Sequence, residues 1–363
     1  MGRRRAPRSV FDYVEGGASH EVSIRRSREV FDRVEFMPRV LRDVTSVDTT
    51  TRVLGAPSAL PIVFAPTGYS RMMHHEGERA VARVAARAGI PYALSTVGTT
   101  TPEDIATVSG DARRWFQLYV WSDREKSHAL IDRARNAGFE ALVLTVDVPA
   151  PATRLRDVRN GLTIPPTLTP RTFVDGALHP RWLFDFLTTE PLSFATMSTG
   201  SQSINEIAAA MFDASVRWDD LHWFRDIWPG KLVVKGVQRV DDAARLPDYG
   251  VDAVVLSNHG GRQLDRSTTP LELLPEVVRK VGDRLEVLID GGVRTGADVV
   301  AAVALGASAV LVGRPYLYGL MAGGEAGVQR VIDLLADDLT RTMQLLGATA
   351  IDQLDESLVR LRP

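Results

Sequence analysis

The sequence predicts a (β/α)8 barrel, and three observations carry that prediction. Short apolar runs recur eight times, amphipathic stretches sit between most of them, and polar or glycine residues close nearly every run. The runs are PIVFAPTG (61–68), YALSTVG (92–98), WFQLYV (115–120), ALVLTVDV (141–148), KLVVKG (231–236), AVVLSNHG (253–260), EVLIDGG (286–292) and AVLVGRP (309–315). Their apolar residues are successive rather than alternate, which suits parallel strands buried on both faces. A doubly wound open sheet is the structural alternative. Eight regular units with polar strand ends favour closure.

The connecting helices follow the same logic. EGERAVARVAARAG (76–89) ends in a glycine suited to a helix C-cap, and 123–138 and 295–307 read the same way. The connection between the fourth and fifth runs breaks the rhythm, at about 80 residues. It holds helical pieces near 203–213 and 218–227 and the aromatic stretch HPRWLFDFLTTEPLSFATM (179–197). The expectation is one domain over 1–363, with roughly 149–230 inserted on the face where the strands end.

Composition removes several function classes. Hydrophobic residues make up 45% and charged residues 24%, the balance of a soluble globular chain. A formal net charge of -2 offers nucleic acid no general attraction. There is no cysteine, so disulfides, thiolate nucleophiles, cysteine-bound zinc and iron–sulfur clusters are excluded, and no metal is expected. MGRRRAPR lacks the apolar core of a signal peptide and reads as a solvated basic tail. No run reaches the ~18 apolar residues of a membrane span, so the expected location is the cytoplasm.

Barrel active sites form at strand C-ends. The residues there are Pro66, Thr67 and Gly68; Ser95; Gln117 and Tyr119; Thr145 and Asp147, with Arg154 beyond; and Lys235. The last three strands add Ser257, His259 and Arg262; Asp290, Gly291, Gly292 and Arg294; and Gly313 with Arg314. DGGVRTG and VGRP are glycine turns with an arginine each, after the strands whose loops often bind phosphate. Lys235 ends a buried strand. It either pairs with Asp290, faces an anionic cofactor, or forms a Schiff base. His259 is suited to take a proton near neutral pH, and Arg262 to hold a carboxylate.

SNHGGRQLD, LVVKG, FQLYV, LTVDVP with Arg154, APTG, LIDGGVRTGADV and LVGRP together resemble the FMN-dependent L-2-hydroxy acid oxidase and dehydrogenase family. The resemblance runs from about residue 11 to the end and implies FMN at the strand C-ends. It makes His259 the base and Asp147 the residue that orients its imidazole. Arg154, Arg262 and Tyr13, the last in FDYVEGG, would hold the substrate carboxylate. Tyr119 would stand by the substrate hydroxyl, and Lys235 by the flavin N1/C2 carbonyl edge, stabilising negative charge there. Pro66, Thr67, Gly68, Ser95, Gln117, Thr145 and Ser257 would line the ring and ribityl chain. Asp290, Gly291, Gly292, Arg294, Gly313 and Arg314 would bind the ribityl–phosphate end.

Departures from the family pattern sharpen the expectation. Glycolate oxidases carry PTAM and a tryptophan where this chain has PTGY and Val97, so less bulk is expected near the substrate, with Gly68 leaving room for a larger C2 substituent. Only ten residues precede Phe11, which raises a shortened chain or another start site. DGALHPRWLFDFLTTEPL and WPGKLVVKG resemble the lactate and mandelate dehydrogenase branches. There Trp182, Leu183, Phe184, Phe186 and Leu187 would form a peripheral apolar patch on the membrane's inner face, serving quinone; the alternative is a loop packed on its own barrel or a neighbouring subunit. The implied activity is oxidation of a small 2-hydroxy acid, L-lactate to pyruvate first, with quinone or another acceptor, in a homotetramer. An oxidase or mandelate-type enzyme, a Schiff-base lyase or isomerase using Lys235, and a silent flavin-binding sensor are the alternatives.

Overall fold

A computed structural model of the chain describes residues 1–162, 169–195 and 213–362. Its centre is a closed barrel of eight parallel strands: β1 (Ile62–Phe64), β2 (Tyr92–Ser95), β3 (Arg114–Leu118), β4 (Ala141–Thr145), β5 (Lys231–Val237), β6 (Ala253–Leu256), β7 (Glu286–Asp290) and β8 (Ala309–Val312). All eight expected runs are strands, in the expected order. All but β5 are shorter than their runs, because the polar ends leave the ladder and become loops.

Period-two geometry splits every strand between two cores. Val63, Ala93, Trp115, Val143, Val233, Val255, Leu288 and Leu311 point into the barrel. Phe64, Leu94, Phe116, Leu142, Val234, Val254, Ile289 and Val310 pack against the helical layer. Both faces are dry, which is why the runs are apolar without alternation. A hairpin of Thr51–Val53 and Ala56–Ser58 adds Val53 and Leu54 to the inner core.

The expected helices form at Gly77–Ala88, Arg124–Asn136 and Gly296–Ala304. Gly89 closes the first, Asp123 accepts from the backbone N–H groups of Glu125 and Lys126 at the start of the second, and Thr295 with Asp298 forms a capping box on the third. In the insertion, Asp220–Ile227 matches the helix expected near 218–227. The piece expected near 203–213 lies almost wholly outside the described residues.

The basic N-terminus corrects an expectation. Gly2–Arg5 is a short helix rather than a solvated tail. Gly2 and Ala6 are buried while Arg3, Arg4 and Arg5 stay exposed, and a methyl on Gly2 would meet Tyr318 and Met321 of the long helix Arg314–Leu346. Small residues at 2 and 6 let this turn dock, so its charges mark only one side of it. Among the described residues no helix is long and apolar enough to cross a membrane.

Candidate active site

Strand parity builds the site. Continuing each inward-facing row by two residues toward the strand C-end reaches Ala65, Ser95, Gln117, Thr145, Lys235, Ser257, Asp290 and Gly313. These form the floor of a cavity of about 380 Å³ at the barrel mouth, apart from Ser257 just beneath it. Pro66, Thr67, Gly68, Tyr119, Arg154, His259, Arg262, Gly291, Gly292, Arg294 and Arg314 line the same cavity.

Lys235 is the buried cation of the floor. Its Nζ lies 2.8 Å from Asp290 Oδ2 and donates to Ser257 Oγ at 3.0 Å. Burial works against its charge, but Asp290 and Asp147 outweigh burial and raise its pKa. An ammonium held this firmly is a poor amine nucleophile, so the ion pair argues against the Schiff-base alternative.

His259 sits in a turn with φ +57°, outside the comfortable range of a side-chain-bearing residue. Two contacts hold it there. Asn258 Oδ1 accepts from Gly261 N at 3.1 Å, and Ser257 Oγ accepts from His259 N at 2.9 Å. The turn aims Nδ1 at Asp147 Oδ1, 3.0 Å away, and Nε2 toward the Tyr119 hydroxyl at 3.4 Å. Asp147 has a side chain only 2% exposed. Burial pushes its carboxyl up, but the nearby His259 and Lys235 hold it below the usual range, so it stays ionised. Burial raises the Tyr119 phenol and keeps it protonated. Space for Asp147 comes from a β-bulge in β5, where Gly236 has φ +107° and a Cβ would lie 2.6 Å from the Asp147 carboxyl carbon.

A cationic wall stands over the mouth. The guanidinium carbons of Arg154 and Arg262 lie 5.3 Å and 4.8 Å from the Tyr13 ring centroid. Arg262 donates to the carbonyls of Tyr13 at 2.6 Å and Gly16 at 2.9 Å, which ties the helix Arg8–Glu15 to the barrel. Burial and the charge of Arg154 lower its pKa. Two buried like charges favour an anion between them.

At the β7–β8 end, Arg294 Nη1 is buried without a partner among the described residues. Gly292 has φ +89° and a Cβ there would overlap the Ser27 carbonyl, so only glycine fits. Arg314 borders the same cavity and also ties the loops around it together. It donates to the carbonyls of Val14 (2.9 Å), Gly16 (3.0 Å) and Gly260 (2.8 Å), bolting the N-terminal helix to the His259 turn. Burial, with Arg262 and Arg294 close by, pulls its pKa down to about 10.

Gly68 lines the cavity together with Val97, and a Cβ at 68 would run into Val97 Cγ2, so the glycine makes room for Val97 at that wall. Residues not singled out in sequence close that end: Tyr69 packs edge-on against Phe194 with ring centroids 4.8 Å apart, beside Met73. Tyr69 stood in PTGY and Asn258 in SNHGG; the position of each beside a strand end was the available signal, whereas Phe194 lay in the aromatic stretch 179–197, which placed it on the insertion but did not show its partner. The aromatic stretch divides as well. Trp182 and Phe186 stack at 4.9 Å, and Trp182 donates to the Met72 carbonyl at 2.8 Å, so they face the barrel. Phe184 and Leu187, 66% and 63% exposed, face outward with Phe173, Val174 and Leu178.

The donor set fits FMN. Gln117 Nε2, Asp290 Oδ1 and Arg294 Nη1 are buried without partners among the described residues, and all three residues border the one cavity. A flavin offers polar ring edges to an amide and a lysine, hydroxyls to a carboxylate, and phosphate to an arginine beside glycine turns.

Comparison with known proteins agrees. Residues 2–361 match a family described as FMN-dependent dehydrogenase. A Mycobacterium tuberculosis protein named "Putative L-lactate dehydrogenase" is 54% identical across 98% of this chain and 86% of its own. The (S)-mandelate dehydrogenase of Pseudomonas putida is 42% identical across 98% of this chain and 90% of its own. A crystal structure titled as the monotopic membrane protein (S)-mandelate dehydrogenase superposes with TM-score 0.95 at 41% identity, covering 99% of this chain and 97% of that one. With the family model spanning almost every residue, this chain belongs to the FMN-dependent dehydrogenase family.

Proposed function

We propose that this chain oxidises an L-2-hydroxy acid, L-lactate to pyruvate first, and passes the electrons to quinone or another carrier. The observation that carries the reading is the His259–Asp147 pair at 3.0 Å, facing the same cavity as Arg154 and Arg262. Relatives named for L-lactate and (S)-mandelate support the substrate class.

Bound FMN supplies the two-electron acceptor. Arg262, Arg154 and Tyr13 bind the carboxylate and fix the C2 carbon over the cavity floor. His259 takes the released proton at Nε2, and Asp147 accepts from Nδ1–H and balances the imidazolium that results. Tyr119 hydrogen-bonds the substrate hydroxyl. Lys235 would lie against the flavin, its charge already fixed by Asp290, and Gln117 would complete its amide bonds there. Arg294 and the Gly291–Gly292 turn would take the phosphate.

The test is anaerobic mixing of the yellow protein with L-lactate, L-mandelate and glycolate, followed by admission of oxygen. Rapid bleaching by lactate and slow recolouring in air are expected. A flavin that no 2-hydroxy acid bleaches removes the reading, and fast recolouring makes the enzyme an oxidase.

Gly68→Ala should crowd Val97 and push it into the cavity. The kcat/KM for L-mandelate is expected to fall roughly tenfold more than that for L-lactate, since one misplaced methyl in such a pocket has about that effect. Equal losses on both substrates would put Val97 outside the substituent's path.

We also propose membrane contact through the outward set Phe173, Val174, Leu178, Phe184 and Leu187. These residues lie on two adjoining helices, Pro170–Ala177 and Pro180–Thr188, and the turn between them. In flotation assays the protein should rise with liposomes, and Phe184→Ser with Leu187→Ser should leave it at the bottom. Wild-type protein that stays at the bottom removes the proposal.

A further inference from the structure

We propose a second site, unrelated to the flavin cavity: a binding site for a borderline divalent metal, with Zn²⁺ as the fitting ion, made by His74, His75 and Asp185. Potential ligand atoms of these three side chains all lie within 4.8 Å of one another. The cluster belongs to a separate cavity of about 330 Å³, between the loop after β1 and the insertion.

The geometry is not what the backbone alone would produce. His74 is extended, with φ -160° and ψ 140°, and successive side chains of an extended chain normally diverge. Here the two imidazoles converge, with ring centroids 4.4 Å apart and an interplanar angle of 29°. Asp185 arrives from the helix Pro180–Thr188 and places Oδ2 3.1 Å from His75 Nδ1. Glu76 Oε2, 3.5 Å from His74 Nδ1, adds a carboxylate beside them. Ligand atoms about 2.0–2.2 Å from a tetrahedral Zn²⁺ stand roughly 3.4 Å apart, so one pair already has the spacing and small side-chain rotations bring in the third.

An ion pair between His75 and Asp185 would be enough to anchor the insertion helix, but that task is already done by the Trp182–Met72 hydrogen bond. That ion pair does not involve His74, whose Nδ1 faces Glu76 and whose ring stacks on that of His75. The surroundings select the metal class. Arg4, Arg5, Arg71 and Arg181 line the same cavity, with Arg71 offset by Glu190 at 3.8 Å. Such a rim opposes Ca²⁺ or Mg²⁺, which need several carboxylate or water oxygens. A metal held by two neutral imidazoles and one carboxylate relies less on carboxylate oxygens, and an anion in the open position would offset the charge of the rim. Metal here would tie the insertion helix to the loop beside Met73, which also borders the flavin cavity.

Untagged FMN-loaded protein, stripped with chelator, is titrated with ZnCl2 by calorimetry and with Co²⁺ by absorbance to the red of the flavin. One equivalent should bind at micromolar free metal, Co²⁺ should give tetrahedral ligand-field bands, and hydrogen exchange over 180–188 should slow. His75→Ala, His75→Gln and Asp185→Asn should each weaken binding at least tenfold, while His222→Ala binds as wild type. All variants should keep full FMN content, which shows that they fold. Absence of saturable binding to the wild type, binding undiminished in the 75 and 185 variants, or equal loss in His222→Ala overturns the site.

Discussion

His259→Ala should retain FMN and lose nearly all flavin bleaching by hydroxy acid, a fall of ~10²–10⁴-fold in anaerobic stopped-flow rate. The imidazole is the basic group facing the cavity with a buried anion behind it, 3.0 Å away. Removing it also strands the Asp147 carboxylate, whose other oxygen already lacks a partner. Stability should therefore fall as well, and His259→Gln separates the two effects. It keeps a donor toward Asp147 and should recover most of the Tm while staying as slow as alanine. A glutamine variant reduced at near wild-type rate would refute the base assignment. Asp147 adds a pH signature. Its folded pKa lies below its ordinary value of 3.8, so the stability it lends is present above that value and is lost only as pH falls through the lower, folded one. Acid loss of activity at higher pH should thus leave Tm almost unchanged.

Lys235→Met should have the largest effect on stability. The Lys235 side chain is 6% exposed and that of Asp290 10%, so removing the ammonium leaves a carboxylate uncompensated in a dry barrel. Breaking such a pair costs about 3–5 kcal/mol, a drop of roughly 4–7 °C in Tm for a chain of 363 residues by thermal melting. The double variant Lys235→Met with Asp290→Asn should regain most of that, because no bare charge remains, yet still bind FMN more weakly than wild type. A single variant that melts with wild type would mean that the pair is solvated and not part of the floor. The same pairing predicts that borohydride with pyruvate traps no adduct on Lys235.

Much of this molecule was legible along the chain. Strand order and closure followed from eight apolar runs, because a strand buried on both faces writes its burial into consecutive residues. The floor was legible as well: with the inward rows known, period two reaches Ser95, Gln117, Thr145, Lys235, Ser257 and Asp290. That is local geometry, and local geometry survives folding. What lies off the strands did not follow. Whether Lys235 met Asp290 or a cofactor depended on the packing of β5, β6 and β7 around one axis. Arg314 stands beside VGRP at the mouth, but nothing in that motif reveals that the helix Arg8–Glu15 and its cap bring the Val14 and Gly16 carbonyls to it across about 300 residues. Gly68 reads as missing bulk at the mouth, and only the fold shows that Val97, from the next loop, occupies the space a side chain there would need. Trp182 and Phe184 are both large and apolar, and only the phase of their helix against the barrel turns one inward and the other out. Periodicity within an element is covalent in origin, so the sequence alone determined the barrel and its polar mouth. Contacts between loops are set by where separate elements dock, so tertiary structure alone decided which mouth residues face the cavity and which also hold the others in place.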